Sequence, residues 1–232
     1  MSAGYFLLIS ICLLAIYILF LNLSVISNNN YRFLKNLCIG LFLFSILRYA
    51  TLIAYGDHLE QEVLMRLRYF YFATSIGLTL PTASAVWYIT PLYREKIKYP
   101  YYILCFLPWI IFYIFLIVRQ PTAIVQGANY GYVLELTGNF PLYLSIAQGS
   151  FITIIIILCI IGLVRYKNVQ LRVQYIVMIL AQVALTLDGI GYSVPGNKFF
   201  PPFTITEVLG FLAVYYAFKA PIIEVRGIQN NK

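Results

Sequence analysis

The sequence predicts an all-α membrane protein, one domain over residues 1–232 built as a bundle of seven transmembrane helices. Composition is the first observation, since 62% of the residues are hydrophobic and only 10% are charged. A soluble domain usually carries about 25% charged residues, which it needs to cover its surface. The second observation is the mean hydropathy of +0.84, which is also typical of a membrane protein. The third observation is that seven apolar segments approach the ~20 residues that a helix needs to cross a bilayer.

The seven segments follow one another along the chain and are separated by connections that contain charged or turn-forming residues. Their predicted bounds are Tyr5–Ile26, Leu34–Tyr55, Leu64–Thr90, Tyr101–Val118, Leu142–Val164, Val173–Tyr192 and Phe203–Ala220. No basic region precedes the first segment and no small-residue cleavage motif follows it. We therefore interpret it as a retained helix and not as a signal peptide.

Charge alternates between successive connections. Of the 16 lysines and arginines, 11 lie in the first, third and fifth connections and in the tail, namely Arg32, Lys35, Arg94, Lys96, Lys98, Arg165, Lys167, Arg172, Lys219, Arg226 and Lys232. The second connection instead carries Asp57, Glu60 and Glu62. Because basic loops stay in the cytoplasm, the N-terminus is predicted outside and the C-terminus inside. The net charge of +8 then reflects contact with membrane lipid in a multi-pass cell-membrane protein, and no nucleic-acid partner is expected.

The fourth connection, Arg119–Pro141, is the longest at about 23 residues and is predicted to be external. Within it, Ala123–Gln126 and Tyr130–Leu136 flank the turn-forming run Gly127-Ala128-Asn129. Two apolar-leaning segments around such a run predict a short β-hairpin. This hairpin either takes part in ligand binding or only shields the tops of the helices.

Five ionisable side chains lie within or at the edge of apolar segments, and the predicted orientation places all of them in the outer part of the membrane. They are Arg48, Arg66, Arg68, Asp188 and Glu207. A charge at the bilayer centre costs at least about 2.5 kcal/mol, so it is normally paired or lies in a polar cavity. Arg48 lies too deep in its segment to reach the interface, and we therefore expect it to pair with Asp188 or Glu207.

This group of charges has two interpretations. It is either a structural salt-bridge network in which Arg66 and Arg68 extend to the interface, or an outward-facing pocket whose excess positive charge binds an anionic ligand. Under the second interpretation Thr186 adds a hydrogen bond. The predicted ligand-binding residues are Arg48, Arg66, Arg68, Gln148, Asp188, Tyr192 and Glu207.

Catalytic and cofactor-binding motifs are missing from the sequence. His58 is the only histidine in the sequence. The sequence therefore offers no cluster of zinc ligands, and no serine–histidine pair that does not involve His58. No phosphate-binding loop is present. The only lysine in the seventh segment is Lys219, which lies at the end of the segment, and this argues against a retinal Schiff base. The four cysteines lie in apolar segments as packing residues. We therefore expect no catalytic residue, no metal, no cofactor and no enzymatic activity.

Three parts of the sequence resemble the N-terminal seven-transmembrane sensor region of bacterial histidine kinases. One is Arg66-Leu-Arg-Tyr-Phe-Tyr, which runs on to Leu80-Pro81 and Trp87; a second is Leu107-Pro108-Trp109 with the hairpin-like loop and the long apolar fifth segment; the third is Arg165–Gln174, with Pro201-Pro202-Phe203 and Gly210–Phe218. The resemblance implies a receptor with an extracellular-side pocket and a cytoplasmic output. This sequence carries no kinase module, so either the output is expected in a separate partner or the chain is a receptor part adapted to another task.

Three functions remain open. A sensor would bind an external small molecule or peptide and signal through a separate output protein or a homodimer. A small transporter or transporter subunit would need polar sites on both sides of the membrane. A structural or immunity-type protein would use the charges only as internal salt bridges. For a homodimer, or a pairing with another membrane protein, the expected helix face comprises the β-branched residues Thr153, Ile156, Ile157 and Ile160.

Overall fold

The computed structural model describes residues 3–55, 61–126, 131–192 and 203–220. Several predicted features lie outside these ranges: the residues Asp57, His58 and Glu60 of the second connection, the hairpin turn Gly127-Ala128-Asn129, the proline pair Pro201-Pro202 and the tail after Ala220. The described chain is mostly helical, with one small two-stranded sheet.

The described elements are α1 Ala3–Ser27, α2 Arg32–Tyr55, α3 Gln61–Leu67, α4 Ala73–Gly77, α5 Thr79–Ile89, α6 Pro91–Lys96, α7 Tyr99–Leu104, α8 Leu107–Arg119, β1 Thr122–Gln126, β2 Tyr132–Leu136, α9 Phe140–Arg165, α10 Val169–Tyr192 and α11 Thr204–Lys219. A short 3₁₀ turn, Arg68–Phe70, follows α3.

Four of the described helices are long and apolar enough to cross a membrane, as judged by length and composition. They run over Gly4–Ser27, Arg32–Tyr55, Phe140–Arg165 and Val169–Gly189. They coincide with the first, second, fifth and sixth predicted segments. Large apolar side chains remain exposed on them, with Val164 81% exposed, and hydrocarbon would cover such side chains in a bilayer.

The third and fourth predicted segments are not single helices, which corrects the sequence prediction. The third is divided into α3, the 3₁₀ turn, α4 and α5, and the fourth into α7 and α8. Proline explains one break in each. Pro81 has no N–H for the carbonyl of Gly77, where α4 ends, and Pro108 has none for Leu104, where α7 ends.

The central element of the bundle is α5, because all eleven of its residues are buried. It contacts α2, α9, α10 and α11. Around it, α1 packs against α2 and α11, while α10 packs between α9 and α11. A helix that is buried on every side can place polar side chains only against other protein groups or in internal cavities.

The predicted β-hairpin is confirmed. Strands β1 and β2 pair antiparallel, with Thr122 opposite Leu136 and Gln126 opposite Tyr132. The base of the hairpin is closed by the Thr137 amide, which donates to the carbonyl of Pro121 at 2.9 Å. Next to this base, the side chain of Gln120 donates to the carbonyl of Arg68 at 3.2 Å, which joins the hairpin to the bundle.

Candidate functional site

A buried ion pair joins α2 to α11. Nε of Arg48 lies 3.2 Å from Oε2 of Glu207, and the two residues are only 3% and 6% exposed. The sequence predicted a buried Arg48 paired with Asp188 or Glu207, and Glu207 is the partner. The pair forms because two charges in an apolar bundle are far less costly together than apart.

Neighbouring groups hold both members of this pair in place. The hydroxyl of Thr74 in α4 donates to Oε1 of Glu207 at 2.7 Å, and the hydroxyl of Tyr49 donates to Oε2 at 3.1 Å. The guanidinium of Arg48 donates to the carbonyl of Tyr71 and also lies over the Tyr71 ring, 5.4 Å from its centroid. Three elements and the turn before α4 thus meet at one charged centre, which orients both charged groups.

The pair forms part of the wall of a cavity of about 270 Å³ beneath the hairpin. Apolar and aromatic side chains make up most of the wall, with a few polar groups among them. Its lining residues are Arg48, Tyr71, Phe72, Ser75, Leu134, Glu135, Leu136, Pro141, Leu144, Ser145, Gln148, Gly189, Phe203 and Glu207. A largely apolar cavity with a few convergent polar groups is typical of a small-molecule site.

The hairpin and the start of α11 shape this cavity. Strand β2 contributes Leu134 and Leu136 to the lining, and Leu134 is only 2% exposed. Phe203, just before α11, adopts a left-handed backbone conformation with φ of 65°. A bulky residue rarely adopts this conformation without a compensating interaction. Here the ring of Phe203 packs close to Gly189 of α10 and lines the cavity.

The predicted site residues do not all meet at this cavity. Arg48, Gln148 and Glu207 line it. Arg66 instead pairs with Glu62 on an exposed surface, and Arg68 lies beside the Tyr69 ring, 5.2 Å from its centroid. Asp188 accepts a 2.7 Å hydrogen bond from Thr206, beside the cavity residue Gly189. Thr186 donates to the backbone carbonyl of Gln182. The side chain of Tyr192 lies outside the described part.

Sequence reasoning missed most of the cavity wall. Tyr71 and Phe72 belong to an aromatic run that is equally typical of interfacial anchoring, so their role was hidden. Tyr49 and Thr74 carry no sequence signal at all, because a single hydroxyl in an apolar segment is common. The left-handed Phe203 directly follows two prolines, and nothing in that pattern specifies its conformation.

The described residues include no group of three or more His, Cys, Asp or Glu side chains arranged to hold a metal ion. The four cysteines are free, and three of them, Cys12, Cys38 and Cys159, are buried. In the cavity itself, the arrangement offers a guanidinium and carboxylates for hydrogen bonding beside an apolar body. Such a site can bind and orient a molecule.

No protein-family profile matches the chain, and no curated protein matches it at a significant level.

Proposed function

We propose that this protein is a multi-pass membrane receptor that binds a small external molecule in the cavity beneath the hairpin. The observation that supports this most is the enclosure of the Arg48–Glu207 pair by an apolar wall and the hairpin. Charge buried at such a position is typical of a functional site in a membrane protein. Ligand binding beside the pair would change the contacts between α2, α4 and α11, and so bias the arrangement of the helices.

The proposal includes the seven-span arrangement, with the hairpin end outside. The divided helices α3–α5 and α7–α8 would each make one crossing, and α11 the seventh. The alternation of basic residues supports this orientation. It puts the cavity on the external side and the exposed Lys96 in the cytoplasm.

The proposed ligand is a small amphipathic molecule. The expectation of an anionic or carboxylate-bearing ligand depended on an excess of positive charge from Arg66 and Arg68. Both lie away from the cavity lining, and Arg48 is paired with Glu207. An apolar body with one polar group matches the described wall better, because aromatic and aliphatic side chains outnumber charged ones.

Thiol labelling in intact cells tests both orientation and binding. In a Cys105→Ser background, Ser145→Cys should react with a membrane-impermeant maleimide, because Ser145 is an exposed residue of the cavity wall. Lys96→Cys should react only after the cells are permeabilised. Hexanol, hexanoate or hexylamine, each at millimolar concentration, should slow labelling of Ser145→Cys severalfold when it occupies the cavity.

Each part of this experiment can fail separately. Labelling of Lys96→Cys from outside would reverse the orientation. Labelling of Ser145→Cys that none of the three probes slows would remove the binding role. A matched control is Asn139→Cys, an exposed position directly before α9 that does not line this cavity, where the probes should have no effect.

The output of this receptor is proposed to pass through a second copy or another membrane protein. Thr153, Ile157 and Ile160 are exposed on α9, with Ile157 50% and Ile160 47% exposed, and Ile156 lies beside them partly buried. The opposite side of α9 packs on α10. This face is therefore open to a partner helix as well as to lipid.

Cysteine cross-linking in native membranes tests the homodimer. Ile157→Cys should give a band of twice the monomer mass on oxidation, because Ile157 lies on the exposed face of α9. Ile155→Cys should not, because Ile155 is fully buried in the same helix. An Ile157→Cys protein that stays monomeric on oxidation, yet remains active, would contradict the homodimer.

A further inference from the structure

A second, smaller chamber adjoins the cavity and is not explained by the receptor role. Its volume is about 20 Å³, enough for one water molecule or an ion of similar size. It shares Ser75, Gln148 and Glu207 with the cavity and extends between α5 and α10. Gln182 lies near the middle of α10, so the chamber reaches into the centre of the bundle.

Two side-chain oxygens in this chamber have no hydrogen-bond partner among the described residues. They are Oε1 of Gln182 and Oγ1 of Thr82, whose residues are 2% and 0% exposed. Leaving a buried polar atom unsatisfied costs about 1–3 kcal/mol, so such atoms normally have a bound partner. A partner of Oε1 of Gln182 must supply a hydrogen-bond donor or a positive charge, whereas the Thr82 hydroxyl can either accept or donate.

Other oxygens on the chamber wall have already donated their hydrogens elsewhere. The Thr74 hydroxyl donates to Glu207, and the Thr79 hydroxyl donates to the carbonyl of Ser75. Their oxygen atoms are therefore left as acceptors. Thr74 and Thr79 both line the chamber, which collects hydroxyl, amide and carboxylate oxygens around a small volume.

Among the described residues that line the chamber, the only charged side chain is the negative Glu207. Glu207 lines the chamber, whereas Arg48 lines the cavity only. The carboxylate thus separates two environments, with Oε2 bonded to Arg48 and Tyr49 and Oε1 bonded to Thr74. A water molecule would donate to two of these oxygens, whereas a cation would be coordinated by the carboxylate, amide and hydroxyl oxygens together.

We infer that the chamber binds a compact monovalent cation through these oxygens. The single carboxylate is shared with Arg48, so it suits at most one further positive charge, since divalent ions are usually held by more carboxylates or by phosphates. The cation is either a free Na⁺ ion or the ammonium group of a molecule whose apolar body lies in the cavity. The ammonium source rests on the proposed receptor function, whereas the Na⁺ source does not.

Thermal unfolding of the purified full chain in detergent tests this inference. The melting temperature Tm in 150 mM NaCl is compared with that in N-methylglucamine chloride of equal ionic strength. A second comparison sets hexylamine against hexanol in the N-methylglucamine buffer. One of the two cations should raise Tm by roughly 3 °C or more, because a ligand that binds only the folded state stabilises it.

Two variants remove the unsatisfied acceptors at nearly constant volume, namely Gln182→Met and Thr82→Val. Both should lose the rise in Tm, and in the N-methylglucamine buffer both should be at least as stable as the parent, because each removes one unsatisfied buried oxygen. Gln174→Met is the control, since Gln174 is 3% exposed on the same helix and does not line the chamber. It should keep the full response.

The outcomes separate the two proposals. A response to Na⁺, or to hexylamine but not to hexanol, that both variants lose supports the cation site and identifies its source. No response to either cation, or an unchanged response in both variants, overturns it and leaves water as the occupant. If hexanol and hexanoate protect Ser145→Cys as well as hexylamine does, and Na⁺ has no effect on Tm, the cation site is overturned. The receptor proposal is kept in that case.

Discussion

Replacing Arg48 with leucine is expected to destabilise the protein by about 3–5 kcal/mol, because it leaves the carboxylate of Glu207 buried without its cation. Both residues are almost fully buried, so water cannot replace the lost partner. Unfolding followed by circular dichroism in mixed micelles of increasing SDS content measures the effect. If Arg48 served ligand binding alone, the stability of Arg48→Leu would match that of the parent.

The double variant Arg48→Leu/Glu207→Leu distinguishes a broken pair from simple loss of packing. It should recover much of the lost stability, since two well-packed apolar groups can replace a buried ion pair with little net change. Arg66→Leu is the control, because Arg66 and Glu62 have side chains 79% and 72% exposed, and a surface pair contributes at most about 1 kcal/mol. A double variant as unstable as Arg48→Leu would contradict the ion pair as the cause.

Replacing Gly162 with alanine should destabilise the contact between α9 and α10 by about 1–3 kcal/mol, the usual effect of overpacking. A Cβ at this position would lie 2.7 Å from two ring carbons of Tyr175, which is too close for any real contact. The ring cannot move freely, because the hydroxyl of Tyr175 is hydrogen-bonded to Thr90 at 2.9 Å. The same SDS titration measures the change.

Gly149 offers a matched control on the same helix. A Cβ there meets nothing within 4 Å, so Gly149→Ala should be neutral or slightly stabilising. In a Tyr175→Leu background, where the ring is absent, adding Gly162→Ala should cause a smaller loss of stability than it does in the parent. Equal losses for Gly149→Ala and Gly162→Ala would show that backbone effects of glycine, and not the close approach of the helices, determine the result.

The sequence was sufficient to predict the parts of the fold that depend on local pattern. Long apolar runs indicated the helices that contain Arg48 and Gln148, and the run around Gly127 indicated the hairpin. Pairing of Arg48 with either Asp188 or Glu207 was predicted because only acidic residues in the same part of the membrane could compensate a buried arginine. In each case a strong physical cost restricts the alternatives to a few.

Other features depend on packing that local pattern does not encode. Arg66 and Arg68 open the same apolar segment, yet which side of the helix faces the cavity depends on the breaks around Phe70 and Gly77. The prolines that cause two of the breaks are visible in the sequence, yet each of the two segments was predicted as one continuous span. The chamber at Gln182 was not predictable, because an amide becomes unusual only once its buried surroundings are known.

The break before α5 also has a mechanical consequence. Helix α4 is fixed to Glu207 through Thr74, while the far end of α5 is fixed by Trp87, which donates to the carbonyl of Ile97 at 3.0 Å. Between them, Pro81 has no N–H for the carbonyl of Gly77, so one helical hydrogen bond is missing and the joint at Gly77 can act as a pivot. Helix α5 is about 16 Å long, and a tilt of roughly 5° at that pivot moves its other end by roughly 1.4 Å. In the proposed receptor, a small displacement of α4 at the cavity would thus be carried along α5 to the opposite end of the bundle.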